Sequence, residues 1–306
     1  MKIVSAFKAL SDETRLRLLH LFLHYELNVN EIVAIMDMGQ SRISRHLKIL
    51  TDNQLLTFRR DGLWTLYSAT VEGDGLTFIQ SIKYLFDKEP IFRTDLSRAQ
   101  HMLQEREIES TLFFDSIAEN WEKLKHEILG DAPLNEMILD AIPPCDVIAD
   151  LGCGTGDLLE FLKPSAHSLI GVEKSSKMLE TARKRLTVEP KTLEVDLRIG
   201  ELEHLPLREG EADAAVINMV LHHIAEPLKA IKEAYRAIKS HGVFILMDLG
   251  SHDQENMRKR FGDRWLGFSE ADIRKYLAAA GFKIDRFDYF NLKKELKGFM
   301  VRAVKP

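Results

Sequence analysis

The run Asp150-Leu151-Gly152-Cys153-Gly154-Thr155-Gly156 constrains the fold of this chain more than any other segment. It follows the apolar run Val147-Ile148-Ala149 and precedes Asp157-Leu158-Leu159-Glu160-Phe161-Leu162. The first reads as a strand and the second as the start of a helix, so the glycines form a strand-to-helix loop. Without a Cβ, such residues let backbone amides approach a ligand closely. Beyond the loop the pattern keeps alternating. Apolar strand candidates lie at 168–173, 194–199, 213–220 and 243–249, and helical stretches at 175–186 and 227–240. That alternation predicts a doubly wound α/β sheet. A helix at 270–280 precedes two further strands, 282–290 and 299–304, which predict a terminal hairpin on the sheet edge.

In such a sheet the ligand sits beyond the carboxyl ends of the strands, at the switch point. Glu173, at the end of the second strand, is positioned to accept both hydroxyls of a ribose. A dinucleotide loop needs glycine at position 157, where this chain has Asp157, and a carboxylate there repels a pyrophosphate. A P-loop is excluded because no Gly-Lys-Ser/Thr follows. Asp150 is a poor neighbour for phosphate and a good one for the amine of an amino acid. A ligand with adenosine at one end and an amino acid at the other, with no phosphate, satisfies these residues. S-adenosylmethionine and S-adenosylhomocysteine fit that description.

The first seventy residues serve a different purpose. Leu16, Leu19 and Leu23 share a helical stripe, and a second helix carries Ile32, Val33 and Met36 inward before Gly39 breaks it. A third helix buries Ile43, Leu47 and Leu50 and turns Gln40, Ser41, Arg42, Ser44, Arg45 and Lys48 outward, with no acid between Gln40 and Thr51. Two short helices of this kind predict a helix-turn-helix. Strand-like residues flanking Asp61-Gly62 predict a hairpin wing that carries Arg59 and Arg60. The net charge of the chain is −5, yet Arg42, Arg45, Lys48, Arg59 and Arg60 fall within 42–60. The helix residues would read base edges in the major groove, and the wing arginines would meet phosphates. Residues 71–140 read as a helical connector suited to dimerisation, starting a helix at Pro90 and ending one at Gly130. Trp121 in that stretch, beside Phe113 and Phe114, is a candidate lid over the ligand. The expected organisation is therefore 1–70, 71–140 and 141–306.

The segment from Phe7 to Ser68 resembles ArsR-type winged-helix repressors. The resemblance implies a dimer that leaves double-stranded operator DNA when an inducer binds. Metal-sensing members often carry thiols where this chain has Glu26-Leu27-Asn28-Val29-Asn30-Glu31, and asparagine is a poor ligand for soft metals. Residues 74–90 hold no histidine, and His20 with His24 has no third ligand nearby in sequence. A metal is therefore not the expected inducer. From 145 to 306 the chain resembles class I S-adenosylmethionine-dependent methyltransferases, which implies a seven-stranded Rossmann-like domain. On that resemblance the first motif supplies Asp150, Gly152, Cys153, Gly154 and Gly156. The ribose motif supplies Glu173, Lys174 and Met178, with Met178 against adenine. Gly200, Glu201 and Leu202 stand at the adenine amino group, with glutamate where aspartate is commoner. Asn218 and Met219 face the ligand from the loop after the fourth strand.

Binding the cofactor does not make an enzyme. The Asn-Pro-Pro-Tyr tetrad of amino-methylating enzymes is absent, and Cys145 and Cys153 are too few for a thiol cluster. His222 and His223 are candidate bases, and His252, Arg258, Trp265 and Phe268 candidates for an acceptor pocket. The whole chain resembles ArsR-type repressors with an appended methyltransferase-like domain, some of which respond to S-adenosylhomocysteine. Two functions stay open: a regulator with an adenosyl effector, and a methyltransferase acting on a small molecule. With two cysteines, no run near 18 apolar residues and no signal-peptide pattern at the start, the cytoplasm is the expected compartment.

Overall fold

The computed structural model describes residues 3–187 and 194–306. It divides into two compact units, Met1–Glu107 and Ile108–Pro306, so the stretch expected to be one connector is shared between them. Among the described residues no helix is long and apolar enough to cross a membrane.

The first unit opens with α1 (Ile3–Leu10), α2 (Glu13–His24), β1 (Leu27–Asn28), α3 (Val29–Met36) and α4 (Gln40–Asp52). Asp12 caps α2 by accepting the Arg15 N–H at 3.1 Å. Leu18, Leu19, Leu21 and Phe22 are all buried, so α2 is covered nearly all round rather than on the stripe of Leu16, Leu19 and Leu23. Asn28 and Glu31 form a reciprocal capping box on α3, with N–H to oxygen distances of 3.1 and 2.6 Å. The asparagine noted for being a poor metal ligand is a helix cap. Ile32, Ile35 and Met36 face inward, and Ile35 takes the place expected for Val33. Asp37 closes α3 in the left-handed region, and Gly39 is the N-cap of α4. Along α4, Ile43, Leu47 and Leu50 are fully buried, as the i, i+4, i+7 spacing requires.

The wing consists of β2 (Leu56–Asp61) and β3 (Trp64–Ala69), and β1 pairs with β3 to give the sheet order β1-β3-β2. Asp61 pairs with Trp64, so the two turn residues are Gly62 and Leu63, one position later than the sequence suggested. Gly62 has φ +60°, which the turn requires. Helix α5 (Gly73–Ile82) and the 28-residue α6 (Pro90–Ile117) follow. Within this unit Arg17 donates to both oxygens of Asp95 on α6, at 2.7 and 2.8 Å, and Arg106 pairs with Glu31.

The second unit takes the last turns of α6, then α7 (Trp121–Leu129) and α8 (Leu134–Ala141). Its sheet elements are β4 (Val147–Leu151), α9 (Asp157–Leu162), β5 (Ser168–Glu173), α10 (Ser176–Leu186), β6 (Glu194–Ile199), β7 (Ala212–Asn218), α11 (Pro227–Ala237) and β8 (Ile238–Leu249). The chain closes with α12 (Asn256–Phe261), α13 (Glu270–Ala280), β9 (Lys283–Asn291) and β10 (Lys297–Val304). The sheet has seven strands in the order β6-β5-β4-β7-β8-β10-β9. The first five run parallel, and β10 and β9 form the antiparallel edge hairpin. The central parallel strands are buried on both faces, with Ile148, Val216 and Ile245 on one face and Ala149, Ala215 and Leu246 on the other, all at 0% exposure. The chain order reverses between β5 and β7 around β4, which places the crevice at the carboxyl end of β4.

The Asp95 side chain is 1% exposed and that of Arg17 15%, so the pair lies beyond easy solvent screening. Asp95→Ala leaves the guanidinium without its carboxylate and is expected to destabilise the first unit by about 3 kcal/mol. The urea midpoint of that unit measures it. A loss below about 1 kcal/mol would identify the pair as an ordinary surface ion pair.

Candidate functional site

The crevice is built from the ends of β4, β5 and β7. Gly152 follows β4 with φ +87°, and a Cβ there would lie 2.7 Å from the Val220 side chain, so only glycine fits. The Gly152 and Cys153 N–H groups both donate to the Val172 carbonyl, at 2.8 and 2.9 Å. Glu173 ends β5. One of its carboxylate oxygens accepts the Gly154 N–H at 3.0 Å and the other the Ser175 N–H at 2.8 Å. Each oxygen retains a lone pair for a ribose hydroxyl. Burial pushes Glu173 above the usual carboxylate range, only partly opposed by those N–H donors.

Asp150 is 2% exposed. Burial pushes its carboxyl up to about 7, with Lys125 opposing the rise and Glu173 and Asp157 adding to it. Asp157, at the start of α9, accepts from Lys125 at 2.8 Å and Asn135 at 3.1 Å. Burial alone would raise Asp157, but Lys125, Asn135 and Arg185 outweigh it and hold it below the ordinary range. A cavity of about 260 Å³ opens beside Asp157, lined by Lys125, Asn135, Phe161 and Asn218 among others but not by Asp150 or Glu173. The Asn218 Oδ1 is buried and has no hydrogen-bond partner among the described residues. Met219 beside it has φ +57°, a strained conformation for a residue with a side chain. An orphaned acceptor, an unneutralised carboxylate and a ribose-ready glutamate at one strand-end crevice fit an adenosyl amino acid.

The other expected contacts divide. Met178 and Leu202 are buried, and the Met178 N–H donates to the Ser175 hydroxyl at 3.1 Å. Lys174 and Glu201 pair with each other at 2.9 Å rather than standing as separate ligand contacts. The Gly200 N–H donates to the Glu173 carbonyl, which fixes the turn after β6. Gly156, at φ +80°, packs against Ala182 and caps α9. The Cys153 thiol is buried and pushed well above its ordinary range, and Cys145 is pushed up to about 11, so neither is a nucleophile at neutral pH.

Several site residues carry no local signal in the sequence. Asp115, on the last turns of α6, accepts the Ser175 hydroxyl at 2.5 Å. Glu122 accepts the Thr155 hydroxyl at 2.6 Å. The Trp121 indole lies beside Gly154, its Nε1 3.8 Å from where a Cβ would stand. An edge-to-face series runs from Trp121 to Phe114 to His223 at centroid distances of 5.6 and 4.9 Å. His222 Nδ1 lies 2.6 Å from Asp248 at the end of β8, and its Nε2 3.8 Å from Asp263. Burial opposes a charge on His222, but the Asp248 and Asp263 carboxylates raise it to about 9. His223 is held well below the usual imidazole range by burial and by His222. Three of the four residues expected to line an acceptor pocket are packed or paired, and the half-buried His252 accepts the Gln254 N–H at 3.2 Å. Trp265 and Phe268 are nearly fully buried, the Trp265 Nε1 donates to the Ile224 carbonyl at 2.6 Å, and Arg258 pairs with Glu255.

In the first unit, Gln40, Ser41, Arg42, Ser44, Arg45 and Lys48 are all exposed on α4. Arg60 is exposed as well. Arg59 differs, because its guanidinium is held by both oxygens of Glu26 at 2.8 and 3.0 Å. His20 is buried and packs between Phe86 and Phe92, whereas His24 is exposed.

Residues 12–57 match the bacterial regulatory proteins of the arsR family, and residues 149–246 match the methyltransferase domain family. A demethylmenaquinone methyltransferase of Symbiobacterium thermophilum is 28% identical over 170 residues, covering 51% of this chain and 64% of the relative. A 37.1 kDa protein in transposon TN4556 of Streptomyces fradiae is 34% identical over 116 residues, covering 36% of this chain and 32% of the relative. The chain thus spans between a third and two thirds of the length of these relatives. The [4+2]-cyclase SpnF shares the fold of the second unit at TM-score 0.55 and 16% identity, covering 64% of this chain and 94% of that one. This chain joins a segment matching the bacterial arsR regulatory family to a methyltransferase domain.

Proposed function

We propose that the chain is a homodimeric transcriptional regulator, a repressor in the cytoplasm, whose effector is S-adenosylhomocysteine or S-adenosylmethionine. The observation that carries this reading is the union of an exposed basic α4 face with an adenosyl-amino-acid crevice in one polypeptide. Residues 1–70 hold the operator, 71–140 serve dimerisation and connection, and 141–306 bind the effector. Gln40, Ser41, Arg42, Ser44 and Arg45 enter the major groove. The exposed apolar residues Ile3, Val4 and Phe7 on α1, with Tyr84 and Leu85 after α5, support a dimer.

In the crevice Asp150 takes the ligand amine, Glu173 the ribose hydroxyls, and Met178 and Leu202 flank the adenine. S-adenosylmethionine, when bound, supplies an electrophilic methyl group on a positively charged sulfur, which S-adenosylhomocysteine lacks. A site can separate the two by that charge and that volume. The ligand acts as effector to the extent that it binds the operator-bound and free states unequally.

A second reading is a working methyltransferase on a small molecule, with the helix-turn-helix controlling its own transcription. The similarity to demethylmenaquinone methyltransferases favours it. Transfer of labelled methyl to a metabolite extract, with no ligand effect on operator binding, would select this reading.

The direct test is a gel shift on operator DNA with each ligand titrated separately. One ligand is expected to change operator affinity at least tenfold, and Glu173→Ala to remove the response while leaving ligand-free DNA binding intact. No effect of either ligand rejects the regulator.

The raised Asp150 sets a pH dependence. Above pH 7 the carboxylate is charged and receives the ammonium; below it, each ligand must first displace a proton. Calorimetric affinity is expected to fall about tenfold per unit as pH drops below 7. Asp150→Asn should give a weak, flat profile, and a flat wild-type profile would remove Asp150 from the amine contact.

On the DNA side, Arg60→Ala is expected to weaken operator binding and lower the salt slope by about one. Arg59→Ala should change the slope less, because Glu26 already neutralises that guanidinium. Equal slopes for the two variants would show that Arg59 leaves Glu26 for phosphate.

A further inference from the structure

We infer that His222, His223 and Asp263 form a binding site for one divalent transition-metal cation of the zinc class. One ligand atom from each of the three lies within 4.8 Å of the others. His222 and His223 occupy the 3₁₀ turn Leu221–His223 after β7, and Asp263 follows α12. The segment carrying Asp263 is tied to that turn, since the Arg264 and Trp265 N–H groups both donate to the His222 carbonyl at 3.0 Å.

The ring orientations are those of metal ligands. Asp248 faces the His222 Nδ1 at 2.6 Å, and as a carboxylate it accepts the ring N–H. The Asp248 carboxylate is itself held by the His222 and Leu249 backbone N–H groups at 3.2 and 2.6 Å. The Gly262 carbonyl faces the His223 Nδ1 at 3.2 Å and can only accept. Both rings can therefore donate from Nδ1, and a cation that displaces the second proton of His222 finds a lone pair on each Nε2. A carboxylate or carbonyl behind the ring is the usual support of a metal-bound histidine.

Spacing points the same way. The His222 Nε2 lies 3.8 Å from the Asp263 Oδ1, which is longer than a hydrogen bond. It is close to the separation of two ligands that each stand about 2.1 Å from one cation. Two imidazoles and a carboxylate suit zinc, cobalt or iron better than magnesium or calcium, which take oxygen ligands. Three protein ligands leave a fourth position open to water or a small molecule. The sequence expectation that a metal is not the inducer rests on the first unit, and the chain's two cysteines are too few for a thiol site; neither point concerns His222, His223 and Asp263. The inference is independent of whether the chain is a regulator or an enzyme.

The test uses the full chain, treated with chelator and then dialysed against zinc, with metal content read by mass spectrometry. One zinc per chain is expected. Cobalt in its place should give the visible d–d absorption of a low-symmetry histidine–carboxylate site. His223→Ala and Asp263→Asn are each expected to weaken zinc binding at least tenfold, and Asp248→Asn about tenfold through the His222 ring. His223 is half-buried, so His223→Gln serves as a folding-safe second variant, checked by circular dichroism. His24→Ala is the control and should bind zinc as the wild type does. Uptake well below one zinc per chain, unchanged affinity in the folded His223 variants, or loss of zinc in His24→Ala would each overturn the site.

Discussion

The second unit depends on one carboxylate at a strand end. Glu173 accepts N–H groups from Gly154 in the glycine loop and from Ser175 at the start of α10. It thereby joins the two loops that follow β4 and β5. The Val172 carbonyl receives two further N–H groups of the same loop, so the backbone there has little freedom to rearrange. In a low-dielectric crevice these hydrogen bonds are strong, and losing one would leave a buried charge or donor unmatched. The positive φ angles at Gly152 and Gly154 are what the chain must adopt to bring their N–H groups to that carbonyl and carboxylate, and Gly156, also at positive φ, closes the loop by donating to the Cys153 carbonyl. The Ser175 hydroxyl then reaches Asp115, so the ribose-facing turn and the last turns of α6 form one network.

The first unit solves a different problem, which is keeping one polar helix face exposed while the other stays buried. Ile43, Leu47 and Leu50 fix α4 from below, and the Asn28–Glu31 capping box fixes the start of the helix packed against it. Glu31 also receives Arg106, and Asp95 receives Arg17, so the part of α6 in this unit is held by two ion pairs to the reader helices.

The fold of the second unit does not by itself decide the chemistry, since a cyclase shares it. The side chains narrow the choice. Cys145 and Cys153 are held as thiols, which removes thiolate chemistry. Burial and the neighbouring His222 hold His223 below the usual imidazole range, and Asp248 orients the His222 ring. Trp265 and Phe268 are committed to packing.

Local order alone was enough to read much of this protein. The α4 stripe, the glycine loop, the alternation of strands and helices, the Pro90 and Gly130 boundaries and the closing hairpin follow from spacing, capping and φ restrictions. Each of these acts between residues a few positions apart. Small errors arose where two local signals competed, as in the wing turn, where Gly62-Leu63 prevailed over Asp61-Gly62. What the tertiary structure decided is who meets whom across long separations: Glu26 with Arg59, Asp115 with Ser175, Lys125 with Asp157, Asp248 and Asp263 with His222. A charge needs a partner, but nothing in its neighbours says which distant one topology will bring, because Coulomb attraction and hydrogen bonding act only once packing has closed the distance.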